Sequence, residues 1–156
     1  KVDVKVVRIF NTYSAGLRND DGRVISNFVT QALLGEDLTV YGDGSQTRSF
    51  CYVDDNITAL KSVMNAKNTT GEIINVGNPN EYSILEIAYL VKELTNSRSK
   101  ITFHPLPKDD PKVRKPVIDH ARKLINWEPK IDIKEGLIKT IDSYKEKLNL
   151  SSKVTL

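Results

Sequence analysis

The chain is 156 residues long, with 39% hydrophobic and 28% charged residues, the make-up of one globular domain rather than a disordered or fibrous chain. Lysine and arginine number 23 against 20 aspartate and glutamate, a net charge of +3 scattered along the chain, so no concentrated basic patch points to nucleic acid or to an anionic membrane. The single cysteine, Cys51, excludes an internal disulfide framework, and no apolar run approaches the ~20 residues of a membrane span.

Val2-Asp-Val-Lys-Val-Val-Arg-Ile-Phe10 is rich in β-branched residues and predicts a strand, with the double valine at 6–7 implying that both faces become buried. Asn11 to Asp21 is polar and interrupted by Gly16, which predicts a loop. Gly22 to Leu34 places Val24, Phe28, Val29 and Ala32 at helical spacing, with Asp20 and Asp21 near the start and Gly35 just past the end. Leu38–Tyr41 is a short strand stopped by the turn Gly42-Asp-Gly44.

A second helix is expected from about Asp55 to Ala66, with Ile57, Leu60, Val63 and Met64 as its inner stripe, followed by a strand over Glu72–Val76 and the turn Gly77-Asn-Pro-Asn80. Ser83-Ile-Leu-Glu86 fits a capping box, in which hydroxyl and carboxylate satisfy exposed N–H groups at a helix start. Ile84, Ile87, Ala88, Val91 and Leu94 form the stripe of the helix it opens. Ile101–Phe103 is a strand running into Pro105 and Pro107, Asp119 is expected to cap a helix running to Trp127, and Glu128-Pro129 to end it. Asp132 and Glu135 start a last helix with Ile133, Leu137, Ile141, Tyr144 and Leu148 inside, and 151–156 is expected to fray. Strands alternating with helices argue for an α/β architecture with parallel pairing, closed by a less regular helical side.

The catalytic inventory is short. His104 and His120 stand apart, each more readily a surface or capping residue than a base. There is no nucleophile elbow, no phosphate-binding glycine loop and no dinucleotide fingerprint, and the acid pairs at 20–21, 54–55 and 109–110 carry no metal-ligand pattern. Anion-binding parts do stand out on loops. Asn11 follows a strand, Arg48 follows a glycine turn, and Arg114 lies in Asp109-Asp-Pro-Lys-Val-Arg-Lys-Pro116. Two guanidinium forks on separate loops suit a pyrophosphate, and two ordinary surface arginines are the equal alternative.

Arg8-Ile-Phe-Asn-Thr-Tyr13, Asp20-Asp-Gly-Arg-Val-Ile-Ser-Asn-Phe28, Leu38 through Phe50, Asp109-Asp-Pro111 with Arg114-Lys-Pro116, and Asn126-Trp-Glu-Pro129 resemble the C-terminal half of the extended short-chain dehydrogenase/reductases, the NAD-dependent epimerase/dehydratases. Within that family, Asp21 to Phe28 is similar to the UDP-glucuronate decarboxylases. Sister 4,6-dehydratases, 4-epimerases of nucleotide sugars and a non-catalytic nucleotide-binding module are the alternatives. The resemblance implies the last strands of a Rossmann-type sheet plus a small α/β substrate-binding subdomain over residues 1–150, without the NAD-binding half and its catalytic Tyr and Lys. With Lys1 first and Met64 the only methionine, the chain is expected to be part of a longer protein.

The resemblance further implies that NAD is held mainly by that other half, with Thr12, Arg18 and Arg23 near the cofactor. The UDP-sugar would meet Asn11, Gly22, Val24, Phe28, Gln31, Tyr41, Ser45, Gln46, Arg48 and Arg114. No nucleic-acid or membrane partner is implied; a homodimeric, cytoplasmic parent is. The chain departs from the family at Ser14-Ala-Gly16, where a rigid Gly-Pro turn is usual, and at Val117, where an aspartate is common.

Overall fold

The computed structural model describes residues 2–67, 69–106 and 113–150. In chain order the elements are β1 (Val6–Ile9), β2 (Thr12–Tyr13), α1 (Val24–Leu34), β3 (Leu38–Tyr41), β4 (Thr47–Ser49), β5 (Cys51–Tyr52), α2 (Val53–Asn65), β6 (Ile73–Val76), β7 (Glu81–Ser83), α3 (Ile84–Thr95), β8 (Ile101–His104), β9 (Val113–Arg114), α4 (Asp119–Ile125) and α5 (Ile133–Lys147). Three parallel ladders join distant strands: β1 to β6 with Val6 opposite Ile73, β2 to β5 with Thr12 opposite Cys51, and β3 to β8 with Leu38 opposite Ile101. A mixed sheet sets β4 between antiparallel β7 and parallel β9.

Two apolar cores divide the elements. The larger packs α1, α3 and α5 around β3, with Phe28, Val29, Leu38, Val40, Ile87, Val91, Leu137 and Tyr144 at its centre. Each such side chain contributes roughly 1.5–3 kcal/mol by leaving water. The smaller joins α2 and α4 to β6 through Ala59, Val63, Ile74, Val76, Ile118, Ala121 and Trp127.

The ends of α3 and α5 follow their residues. Ser83 and Glu86 form both bonds of the capping box, and Asp132 accepts from the Glu135 amide. Gly35 takes the left-handed conformation (φ 74°) that ends α1, where a side chain would be strained.

Elsewhere the expectations need correction. The first strand is shorter than Val2–Phe10, and neither face is fully covered: Val6 is 43% exposed on one face and Ile9 54% on the other, with β6 its only described neighbour. α1 begins at Val24 rather than Gly22, with Arg23 as its cap residue, and Asp21 accepts from the Arg23 amide. α2 is rotated from its expected stripe, with Ile57 43% exposed and Met64 76% exposed, while Asp55, Asn56 and Ala59 face inward. Asp55 accepts from the Ile131 amide and the Asn56 amide nitrogen donates to Thr12, so hydrogen-bonded polar side chains take the inner positions, although the Asn56 Oδ1 is buried without a partner.

Asp119 is the first residue of α4 rather than its cap, and the helix ends at Ile125 with left-handed Asn126, not at Glu128-Pro129. Pro107, the pair Asp109-Asp110 and residues 151–156 lie outside the described residues.

Candidate functional site

The chain folds β2, the start of α1, β4 and β9 toward one another, and a cleft of about 560 Å³ opens between them. Two features of the local sequence shape it. Gly22, in the left-handed conformation (φ 79°), turns the chain into α1 and carries no side chain into the opening. The β4–β9 register sets Arg48 directly opposite Arg114 in a parallel pair. Register partners in a parallel ladder project to the same side, and both arginines line the cleft.

Asn11, Thr12, Arg23 and Val24 also line it. Three guanidiniums therefore face one opening, while Asp21 lies 3.5 Å from the Arg23 Nε. Arg48 is only 8% exposed, and its Nη1 donates to the Thr47 carbonyl at 2.7 Å. Its head is thereby oriented before any ligand arrives, which lowers the ordering cost of binding an anion.

An adjoining recess of about 200 Å³ shares Gly22, Val24 and Arg48 with the cleft and continues to Phe28, Tyr41 and Gln46. Its floor is Phe28, 2% exposed, and its rim is Tyr41, 46% exposed. A cationic cleft running into a recess with an aromatic floor suits a molecule with an anionic middle and a planar end.

Three of the expected residues lie outside both hollows. Gln31 is committed to Thr39, donating to its hydroxyl at 2.9 Å and accepting from its amide at 3.1 Å. Ser45 donates to Asp43 at 2.6 Å in the glycine turn, which holds the Asp43 carboxyl below the usual carboxylate range. Arg18 is 82% exposed and clasps Asp20 with two nitrogens, at 2.9 and 2.7 Å. Sequence reasoning overlooked Tyr13, Leu17, Ser26 and Phe50, all in the lining. Tyr13, Ser26 and Phe50 had a usable signal, each lying in a stretch that carries the family resemblance, whereas Leu17 read only as loop.

No group of three or more His, Cys, Asp or Glu among the described residues is arranged to hold a metal. Burial pushes the Cys51 thiol up to about 12, so it is an inert apolar group rather than a nucleophile.

Residues 1–77 match the family model for the NAD dependent epimerase/dehydratase family. That half of the chain belongs to this family. Curated relatives extend the likeness across nearly all of the chain. It is 50% identical over 147 residues to UDP-glucuronic acid decarboxylase 1 of Danio rerio, covering 94% of this chain and 35% of that protein. It is 46% identical over 149 residues to UDP-glucuronic acid decarboxylase 3 of Arabidopsis thaliana, covering 96% and 43%.

Among solved structures, the UDP-glucuronic acid 4-epimerase of Bacillus cereus in complex with UDP-glucuronic acid and NAD matches with a TM-score of 0.87 and 28% identity over 94% of this chain and 46% of its own. The UDP-glucose 4-epimerase of Thermotoga maritima with UDP-glucose gives 0.87 and 27% over 92% and 46%. The chain thus spans under half of these epimerase/dehydratase relatives, and its fold is the Rossmann-like α/β fold of the epimerases.

Proposed function

We propose that this chain is the nucleotide-sugar-binding part of an NAD-dependent UDP-glucuronate decarboxylase, an enzyme that forms UDP-xylose through a 4-keto sugar acid. The observation that carries the reading is the Arg48–Arg114 register pair at the cleft, in a chain 50% identical to a UDP-glucuronic acid decarboxylase. In this reading Arg48 and Arg114 fork around the diphosphate, and Asn11 borders the sugar. Backbone groups of Gly22 and Val24 meet the uracil beside Phe28, and Tyr41 and Gln46 flank it. Holding the diphosphate handle fixes the sugar's position and leaves it no freedom to turn away from the reacting groups.

The residues here do not by themselves fit NAD. The Thr12 hydroxyl lies between the Phe10 carbonyl and the Asn56 amide, Arg18 is committed to Asp20, and Arg23 reaches the Thr12 carbonyl and Asp21. The 156 residues also contain no Tyr-x-x-x-Lys and no glycine fingerprint. Hydride transfer at sugar C4 is what NAD supplies in such an enzyme, and we assign that chemistry to the rest of a longer parent. This chain orients the substrate.

Calorimetric titration of the chain with UDP, UDP-glucuronate and uridine, alongside a product assay with UDP-glucuronate and NAD, tests the reading. UDP and UDP-glucuronate are expected to bind alike and more tightly than uridine, with no UDP-xylose formed by this chain. Equal uridine affinity or no UDP binding overturns the diphosphate assignment; turnover by the chain overturns the placement of the chemistry elsewhere. The epimerase neighbours favour one rival, 4-epimerisation, which the parent's product decides: the sugar carboxylate is retained in epimerisation and lost as carbon dioxide in decarboxylation.

A further inference from the structure

The loop between β2 and α1 is a wall of the cleft, and the residues of its first part, 14–17, do little to fix it. Ser14-Ala-Gly16 contains no proline, and its internal bonds are a Ser14 hydroxyl accepting from the Gly16 amide at 3.1 Å and a long Leu17-to-Ser14 amide contact of 3.4 Å. Yet three carbonyl acceptors of this loop, those of Ala15, Leu17 and Arg18, are satisfied by side chains of one helix. Ser143 donates to the Ala15 carbonyl at 3.0 Å, and Lys147 donates to the same carbonyl at 2.6 Å and to that of Leu17 at 2.9 Å. The Tyr144 hydroxyl lies 3.2 Å from the Arg18 carbonyl and 3.3 Å from the Ser26 hydroxyl.

These three residues sit on one stripe at the C-terminal end of α5, where Lys147 also lies over the Tyr144 ring at 5.0 Å. The other end of α5 receives the start of the same segment. The Tyr13 hydroxyl donates to the Ile133 carbonyl at 3.4 Å, and its ring passes so close to Gly136 that a Cβ there would meet the ring's Cζ at 2.7 Å. Tyr13, Leu17 and Ser26 all line the cleft, whereas no residue of α5 lines either the cleft or its recess.

We propose that α5 is a splint for the wall of the cleft, with Ser143, Tyr144 and Lys147 acting as positioning residues that hold the Ala15–Arg18 backbone in its binding geometry. In this chain the splint supplies from outside the rigidity that residues 14–17 lack within. Its consequence for ligand binding rests on the UDP-sugar reading above; its consequence for the loop does not.

Lys147→Met removes both ammonium bonds and keeps an unbranched stem over Tyr144, and Lys147→Arg restores donors. Hydrogen exchange of the unliganded chain is expected to quicken about tenfold at the amides of residues 16–18 in Lys147→Met, the loss of about one charge-assisted bond, with α1 and α3 amides unchanged. UDP affinity is expected to fall about five- to tenfold, and Lys147→Arg to recover both within about twofold. Unchanged exchange at 16–18 overturns the splint. Faster exchange with unchanged UDP affinity overturns its role at the cleft. If the unaltered chain binds no UDP, the nucleotide reading fails and takes the ligand half of this proposal with it, while the exchange result still decides whether α5 holds the loop.

Discussion

Arg48 and Gln31 both sit in stretches that read as binding residues, and their surroundings separate them. Arg48 faces the cleft with its head already oriented, whereas both ends of the Gln31 amide are spent on Thr39, tying α1 to β3. Arg48→Ala is expected to weaken UDP binding by roughly 2–3 kcal/mol, the loss of a charge-assisted and partly buried partner. Arg48→Lys should recover only part of this, because an ammonium keeps the charge without the planar fork. Titration with UDP and uridine checks it: a loss equal for both ligands would make Arg48 a brace of the β4–β9 pair rather than a phosphate contact. The sequence displays which side chains can bind an anion; only the register, with Arg48 opposite Arg114, shows that two of them share one opening.

The faces of α1, α3 and α5 and the caps of α3 and α5 were legible, whereas the face of α2 and the ends of α4 were not. The capping box at Ser83 and the Asp132 cap stand in the sequence because a short polar side chain acts on amides two or three residues away. The inner face of α2 was misread because hydrophobicity alone favours Ile57 and Met64, while the fold spends those positions on Asp55 and Asn56, whose partners Ile131 and Thr12 are remote in sequence. The short strands β2, β4, β5, β7 and β9 carry two or three residues each, too few to show a period.

The box at α3 also has a pH consequence. The Ser83 amide and hydroxyl hold the Glu86 carboxyl below its ordinary value of 4.5. A carboxylate with a depressed folded pKa stabilises fully above its unfolded value, and that contribution is lost as pH falls through the folded one. Side-chain NMR titration should therefore place the Glu86 midpoint below 4.5, with fraying of the first turn of α3 following the same curve. Ser83→Ala should raise the midpoint and cost about 1 kcal/mol. An unshifted midpoint would show that the box does not form in solution.

Across the molecule, the β1–β6 ladder is finished on one side only. Val7, Ile74 and Val76 pack toward α2 and α4, while on the other face the register pair Val6 and Ile73 stands 43% and 45% exposed, with Val2 and Val4 further along the same edge. An open strand edge beside an uncovered apolar face favours association. The isolated chain is expected to scatter light as a species heavier than 17.6 kDa at high concentration, and Ile73→Lys to shift it toward the monomer. A monodisperse monomer for the unaltered chain would show that this face is content with water. No helix of the described residues is long and apolar enough to cross a membrane.

The parallel ladders carry a kinetic consequence. Val6 must find Ile73 and Leu38 must find Ile101 before any bond of those ladders forms, so each pairing first closes a long loop at an entropic cost that no neighbouring contact offsets. The helices need no such loop closure, because their backbone bonds join near neighbours in sequence. Refolding is therefore expected on the millisecond-to-second scale of non-local topologies rather than in microseconds. During that interval β1 is an unpaired, β-branched strand, and the encounter that completes it is the step at which a second chain, or the correct strand of the same one, wins the edge.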